Sequence, residues 1–141
     1  DHGRSLTDRG REQAALVGRV LAEHGHVPDH VICSTAERTR QTLDGVLGAM
    51  DPNTGADVAV DYSRSAYLAG VDELMELVNQ VDADADTVLV VGHNPTIAQV
   101  AASFVGPEAL TAFSPATVAA VSLEVEWLYA APGTGDGRVL T

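Results

Sequence analysis

The sequence predicts a three-layer α/β domain on a mostly parallel central sheet. Three observations carry that reading. Apolar runs of strand length alternate with segments of helical periodicity. The stretch Thr87-Val-Leu-Val-Val91 is free of polar interruption after its first residue, as suits a parallel strand covered on both faces. Two of the strand-like runs stop in polar clusters, where open α/β sheets hold their ligands. A chain of 141 residues fits a single domain with one continuous core.

The elements follow in order. Leu6-Thr7-Asp8-Arg9-Gly10 opens a helix with Thr7 as its N-cap. Ala14, Val17, Val20 and Leu21 recur at helical spacing, and Gly25 and Pro28 close it. His30 to Ser34 reads as a short strand, followed by a helix through Met50. Asp51-Pro-Asn-Thr-Gly55 is a loop. Val58 to Tyr62 is a second strand, and Val71 to Val81 a helix with Leu74, Leu77 and Val78 on one side. Thr87 to Val91 is the third strand, and Pro95 sits at the first turn of a helix ending near Phe104. A short helical piece after Gly106-Pro107 precedes Thr117 to Glu126. There Val121, Leu123 and Val125 alternate with polar residues, as in a less buried strand. Pro132 to Gly137 is a turn, and Arg138 to Thr141 a last strand.

Composition excludes some functions. A net charge of −12 argues against a binder of the nucleic-acid backbone. Mean hydropathy is +0.06, and no apolar run approaches the ~20 residues that span a bilayer. The chain opens on the polar Asp1-His2-Gly3-Arg4, unlike a signal peptide. With one cysteine, Cys33, no internal disulfide is possible and a cytoplasmic location is expected. All eight basic residues are arginine, so a place where an arginine meets a histidine is a local exception in an acidic protein.

Such a place is predicted at the two polar strand ends. Arg38 lies about one turn into the helix after the first strand, and His93-Asn94 directly follows the third. If those strands are parallel neighbours, Arg38 and His93 share a crevice near helix N-termini, a suitable receptor for a tetrahedral oxyanion. Other polar features read as structural. Cys33 is a small buried hydrophobe. Arg40 is a surface arginine or a partner of Glu37. His24-x-His26 lacks a third metal ligand nearby. The acidic run Asp82 to Asp86 lacks the glycine and distal glutamate of a calcium loop and is a solvated connection.

Leu6-Thr7-x-x-Gly10, Ser34-x-Ala36-x-Arg38-x-x-Gln41-Thr42 and Val90-Val91-Gly92-His93-Asn94-Pro95 together resemble the histidine phosphatase superfamily, with its phosphoglycerate mutase-like fold. The Gly-His-Asn-Pro wording and the short chain are most similar to its small phosphohistidine phosphatases of the SixA type. The resemblance implies phosphoryl transfer to an enzyme histidine and hydrolysis of that intermediate, with no metal or other cofactor. It implies that Arg38 and His93 are catalytic and hold the phosphoryl group, with Asn94 assisting through a polar contact or the loop geometry. The substrate implied is a phosphohistidine-bearing protein or a small phosphorylated compound, and neither nucleic acid nor membrane is an expected partner.

Two departures from the pattern matter. The family's nucleophile stands in Arg-His-Gly or Arg-His-Ala at the end of a first strand, and no such strand precedes His2-Gly3-Arg4. Residues 1–141 therefore read as one N-terminally incomplete histidine phosphatase-like domain, with Asp1 to Leu6 the tail of a loop rather than the nucleophile's site. Second, many relatives carry a carboxylic acid after a later strand to protonate an alcohol. The matching stretch here, Arg64-Ser-Ala-Tyr-Leu68, holds none, which suits the labile N–P bond of phosphohistidine. Two alternatives stand beside this reading: a phosphomonoesterase acting on small phosphate esters, and a non-catalytic phosphate-binding module.

Overall fold

The computed structural model describes residues 2–50, 58–107, 110 and 117–140. Among these residues, five helices, five strands and one short 3-10 turn are ordered α1 (Asp8–Glu23), β1 (His30–Ser34), α2 (Glu37–Ala49), β2 (Ala59–Ser63), α3 (Arg64–Leu68), α4 (Val71–Asn79), β3 (Val88–Val91), α5 (Thr96–Val105), β4 (Ala119–Leu123), the 3-10 turn (Trp127–Tyr129) and β5 (Gly135–Val139). The expected loop at Asp51 to Gly55 lies outside the described residues, as does most of the helical piece expected after Pro107. Thr7 caps α1 as expected, its Oγ1 accepting the Gly10 N–H at 3.1 Å. Gly25 leaves the helix with φ of 75°, a conformation that favours glycine.

The strands form two sheets. One is parallel with order β2-β1-β3, and the other is an antiparallel β4-β5 pair. β1 is the central strand, with Val31, Ile32, Cys33 and Ser34 all buried. Full burial on both faces was expected of Thr87 to Val91, yet β3 is only half-buried. The reason is its position: β3 ends the parallel sheet, and its outer edge faces β4 across a cavity instead of pairing with it. The last strand begins earlier than expected. Gly135 and Gly137 lie so close to the Ser122 and Ala120 carbonyls that a side chain at either would collide with them.

Asp29 sets the β1–β3 register at its start. Its carboxylate accepts the N–H groups of Asp86 and Thr87 at 2.8 and 3.1 Å, while the Asp29 N–H donates to the Thr87 carbonyl at 3.0 Å. These donors, that of Asp86 foremost, hold the carboxyl below its usual range. The register then runs from His30 opposite Val88 to Cys33 opposite Val91.

On one sheet face Val31 and Cys33 pack with Leu43, and half-buried Leu89 and Val91 join them. The α1–α2 pair closes over this face through Ala14, Val17, Leu21, Val46 and Met50. Small residues let the two helices come close: a Cβ on Gly18 would strike the Val46 carbonyl oxygen, and one on Gly45 would sit 2.9 Å from Ala14 Cβ. The opposite face lies toward α4 and α5, where Trp127 Nε1 donates to the Ala85 carbonyl and Asn79 Nδ2 to those of Trp127 and Ala130. No helix among the described residues is long and apolar enough to cross a membrane.

Glycine to alanine on an exposed helix normally stabilises by up to ~1 kcal/mol. Gly18→Ala should do the reverse and lower stability by about 1–3 kcal/mol in urea unfolding, because α1 and α2 must separate. An unchanged or raised midpoint would show that the helices do not meet this closely.

Candidate active site

The parallel register brings the two polar strand ends together. β1 ends at Ser34 and β3 at Val91, so Ser34 and the residues after Val91 occupy the same edge of the sheet. Ser34 is fully buried, and its Oγ accepts the Ala36 N–H at 3.2 Å, turning the chain into α2. Thr39 reinforces the turn by donating to the Ser34 and Ala36 carbonyls at 3.0 and 2.7 Å. Arg38 therefore stands in the first turn of α2, facing the end of β3.

Arg38 and His93 are in contact. Arg38 Nη2 lies 3.2 Å from His93 Nδ1, and His93 Nε2 lies 2.7 Å from Ser34 Oγ. A guanidinium can only donate, so Nδ1 accepts and the proton of the neutral ring sits on Nε2, donating to Ser34. Burial first, then the positive charges of Arg38 and His2, hold the His93 imidazole below its ordinary value. The free site is thus a neutral imidazole under an arginine, both half-buried at one strand edge.

Asn94 is exposed, and its Oδ1 accepts the Ala98 N–H at 3.3 Å at the start of α5. This hydrogen bond holds the loop that presents His93; the expectation had left open a polar contact or the loop geometry. Gln41 fastens the N-terminal segment to α2: its Oε1 accepts the Leu6 N–H at 2.7 Å and its Nε2 donates to Glu37 at 3.0 Å. Arg40 does not pair with Glu37. Its Nε donates to the Thr35 carbonyl at 3.0 Å and its guanidinium lies 4.4 Å from the centre of the Tyr62 ring. Cys33 is an inert core thiol, pushed up to about 11 by burial. His24 Nδ1 lies 2.8 Å from the Val20 carbonyl, and no group of three metal-ligating side chains occurs among the described residues.

Three residues join the site that the sequence reading did not place there. His2 Nε2 lies 2.8 Å from Thr35 Oγ1, and the Tyr67 ring stands edge-on to both His2 and His93, with centroids 4.7 and 5.3 Å apart. Thr35 could have been found as the residue just past the end of β1. Tyr67 carries no local signal, and His2 reads as part of a loop tail, because their partners are distant in sequence.

Residues 2–61 match the family model of the histidine phosphatase superfamily, branch 1. An uncharacterised protein of Mycobacterium tuberculosis is 35% identical over 142 residues, which cover 94% of this chain and 85% of that protein. A solved structure from Nakamurella multipartitia, named as a candidate phosphohistidine phosphatase SixA, is 36% identical with a TM-score of 0.85 over 99% of this chain and 85% of that one. A shorter stretch of 51 residues, 36% of this chain and 18% of the other, is 45% identical to the serine/threonine-protein phosphatase Pgam5 of Drosophila persimilis. The chain belongs to the histidine phosphatase superfamily.

A lowered pKa makes His93 neutral near neutral pH; its contribution to stability is intact above the unfolded value of about 6.5 and is lost as pH falls from there through the lower folded value. An anion between Arg38 and His93 reverses the local charge balance. In histidine-resolved NMR titrations, His93 should titrate below 6.5 in the free protein and higher with tungstate bound. Arg38→Ala should also raise it, though not fully, since burial remains. A value that ignores both changes would refute the contact.

Proposed function

We propose that this chain supplies most of a phosphatase that removes the phosphoryl group from phosphohistidine through a phosphohistidine enzyme intermediate. The observation that carries the reading is the contact of Arg38 with His93 at adjoining parallel strand ends. The transferring phosphoryl group spreads negative charge over its peripheral oxygens, so prearranged donors are the main catalytic contribution. Arg38 would hold two of those oxygens with its planar fork. His93, once an oxygen draws Arg38 away from Nδ1, would take a proton there and donate to the same group.

The nucleophile has a natural place. The cavity between β3 and β4 has a volume of about 780 Å³ and is lined by Val88, Leu89 and Val90, by Leu21 of α1, by Met75 of α4 and by β4. Lining from both faces of β3 and both helix layers makes it a slot in the plane of the sheet. Strands advance ~3.3 Å per residue with ~4.8 Å between neighbours and ~10 Å between layers, so about five residues of strand fill such a volume. A strand laid there parallel to β3 ends beside His93, and we assign the nucleophilic histidine to that end, on a segment upstream of Asp1 in the intact protein.

The choice of phosphohistidine is supported by the similarity to the Nakamurella protein. It is also supported by the stretch Arg64 to Leu68, which forms α3 beside the site without a carboxylic acid. A second reading, a phosphomonoesterase, is favoured by the shorter similarity to Pgam5.

In the intact gene product, Arg38→Ala and His93→Ala should each lower kcat/KM for phosphohistidine by about 10²–10³-fold with the fold preserved. Wild-type turnover by His93→Ala would sink the assignment. Faster hydrolysis of alkyl phosphates than of phosphohistidine would favour the monoesterase. Phosphate binding abolished by Arg38→Ala, with no turnover by the wild type, would identify a binding module instead.

A further inference from the structure

We propose that His2 is the proton donor to the leaving group and, in the hydrolytic step, the base that receives the proton of water. This rests on the phosphatase reading above. His2 belongs to the site by three contacts: Nε2 to Thr35 Oγ1 at 2.8 Å, the ring against Tyr67 at 4.7 Å, and its carbonyl accepting the Glu37 N–H at 2.9 Å. The last contact fixes the backbone of His2 at the N-terminus of α2, next to Arg38. Its charge also reaches His93, where it is one of the causes of the lowered pKa.

Among the described residues, the chemistry of the neighbours leaves the role to His2. Arg38 does not release a proton in proteins. His93 is neutral in the free site with its N–H engaged by Ser34, and the proton it would take at Nδ1 is directed to the phosphoryl oxygens rather than to the leaving atom. The Glu37 carboxylate accepts from Gln41, and α3 brings no acid. Tyr67 packs edge-on between the two imidazoles, separating the group that binds phosphoryl oxygens from the one that handles protons. Thr35 suits a ring that changes its protonation state, because a hydroxyl accepts from an N–H and donates to a bare nitrogen. Histidine is also the side chain whose ordinary titration range lies nearest neutrality.

The steps balance. As the nucleophilic histidine nitrogen forms its bond to phosphorus, the substrate's bond from phosphorus to nitrogen or oxygen breaks. The pair stays on the leaving atom, which takes a proton from the His2 imidazolium. Neutral His2 then accepts a proton from water as the water oxygen bonds to phosphorus. The enzyme's N–P bond breaks with its pair returning to the nucleophile, and phosphate is released.

The test compares the intact wild-type protein with His2→Ala and with His2→Gln, which keeps a hydrogen bond to Thr35, on phosphate esters of graded leaving-group basicity. General acid catalysis contributes about 10²–10⁴-fold. Both variants should lose at least about tenfold more kcat/KM on phenyl phosphate than on p-nitrophenyl phosphate, whose leaving group needs little protonation. Thermal midpoints and tungstate affinity should hold. Equal losses on both esters, or none, would overturn the role while leaving the phosphatase reading intact. Selective loss in Tyr67→Phe but not in His2→Gln would move the role to the phenol and overturn it too. A wild-type protein that hydrolyses no phosphate would overturn both readings together.

Discussion

The parallel pairing of β1 with β3, in one register, is the constraint on which the rest of this structure depends. Asp29 sets it at one end by holding the N–H groups of Asp86 and Thr87. At the other end the same register delivers Ser34, Arg38 and His93 to a single edge. A slip of one residue would turn the apolar side chains of β3 to the wrong face and separate Arg38 from His93. The acidic surface is no obstacle to anion chemistry, because the charges that matter are local. Arg38 lies against the His93 ring, which places a cationic fork at the edge where an oxyanion would be held.

Among the described residues the strands fall into two sheets. β3 and β4 face one another across a slot with the dimensions of one more strand. Each half is already stabilised on its own side, β3 by β1 and the α1–α2 pair, β4 by β5.

Much of this was legible in the sequence, for identifiable reasons. β1 was read with its observed bounds because His30 to Ser34 is a short apolar run between Pro28 and a polar cluster. Thr7 was read as a cap because capping is a local interaction. Arg38 and His93 were expected together because each follows a strand end, and parallel strands share their carboxyl edge. The burial of β3 was misread because a run of valines reports the burial a strand can tolerate, not whether a neighbour occupies its outer edge. The start of β5 was missed because Gly135 and Gly137 look like turn residues. Both instead permit close approach to β4, a property of the partner strand. In the sequence His2 reads only as a rejected nucleophile within its loop, and Tyr67 does not stand out, because only the fold unites His2 with Thr35, and Tyr67 with His93.

The central claim is that Arg38 and His93 receive a phosphoryl group that another histidine carries. Trapping the intact enzyme with phosphorylated substrate, then mapping the acid-labile, base-stable label by mass spectrometry, tests this most directly. The account predicts one labelled histidine, on a strand upstream of Asp1, with His93 and His2 unlabelled. A label on His93 would make it the nucleophile and contradict its role as a donor to the phosphoryl oxygens. A label on His2 would contradict its place as a proton carrier.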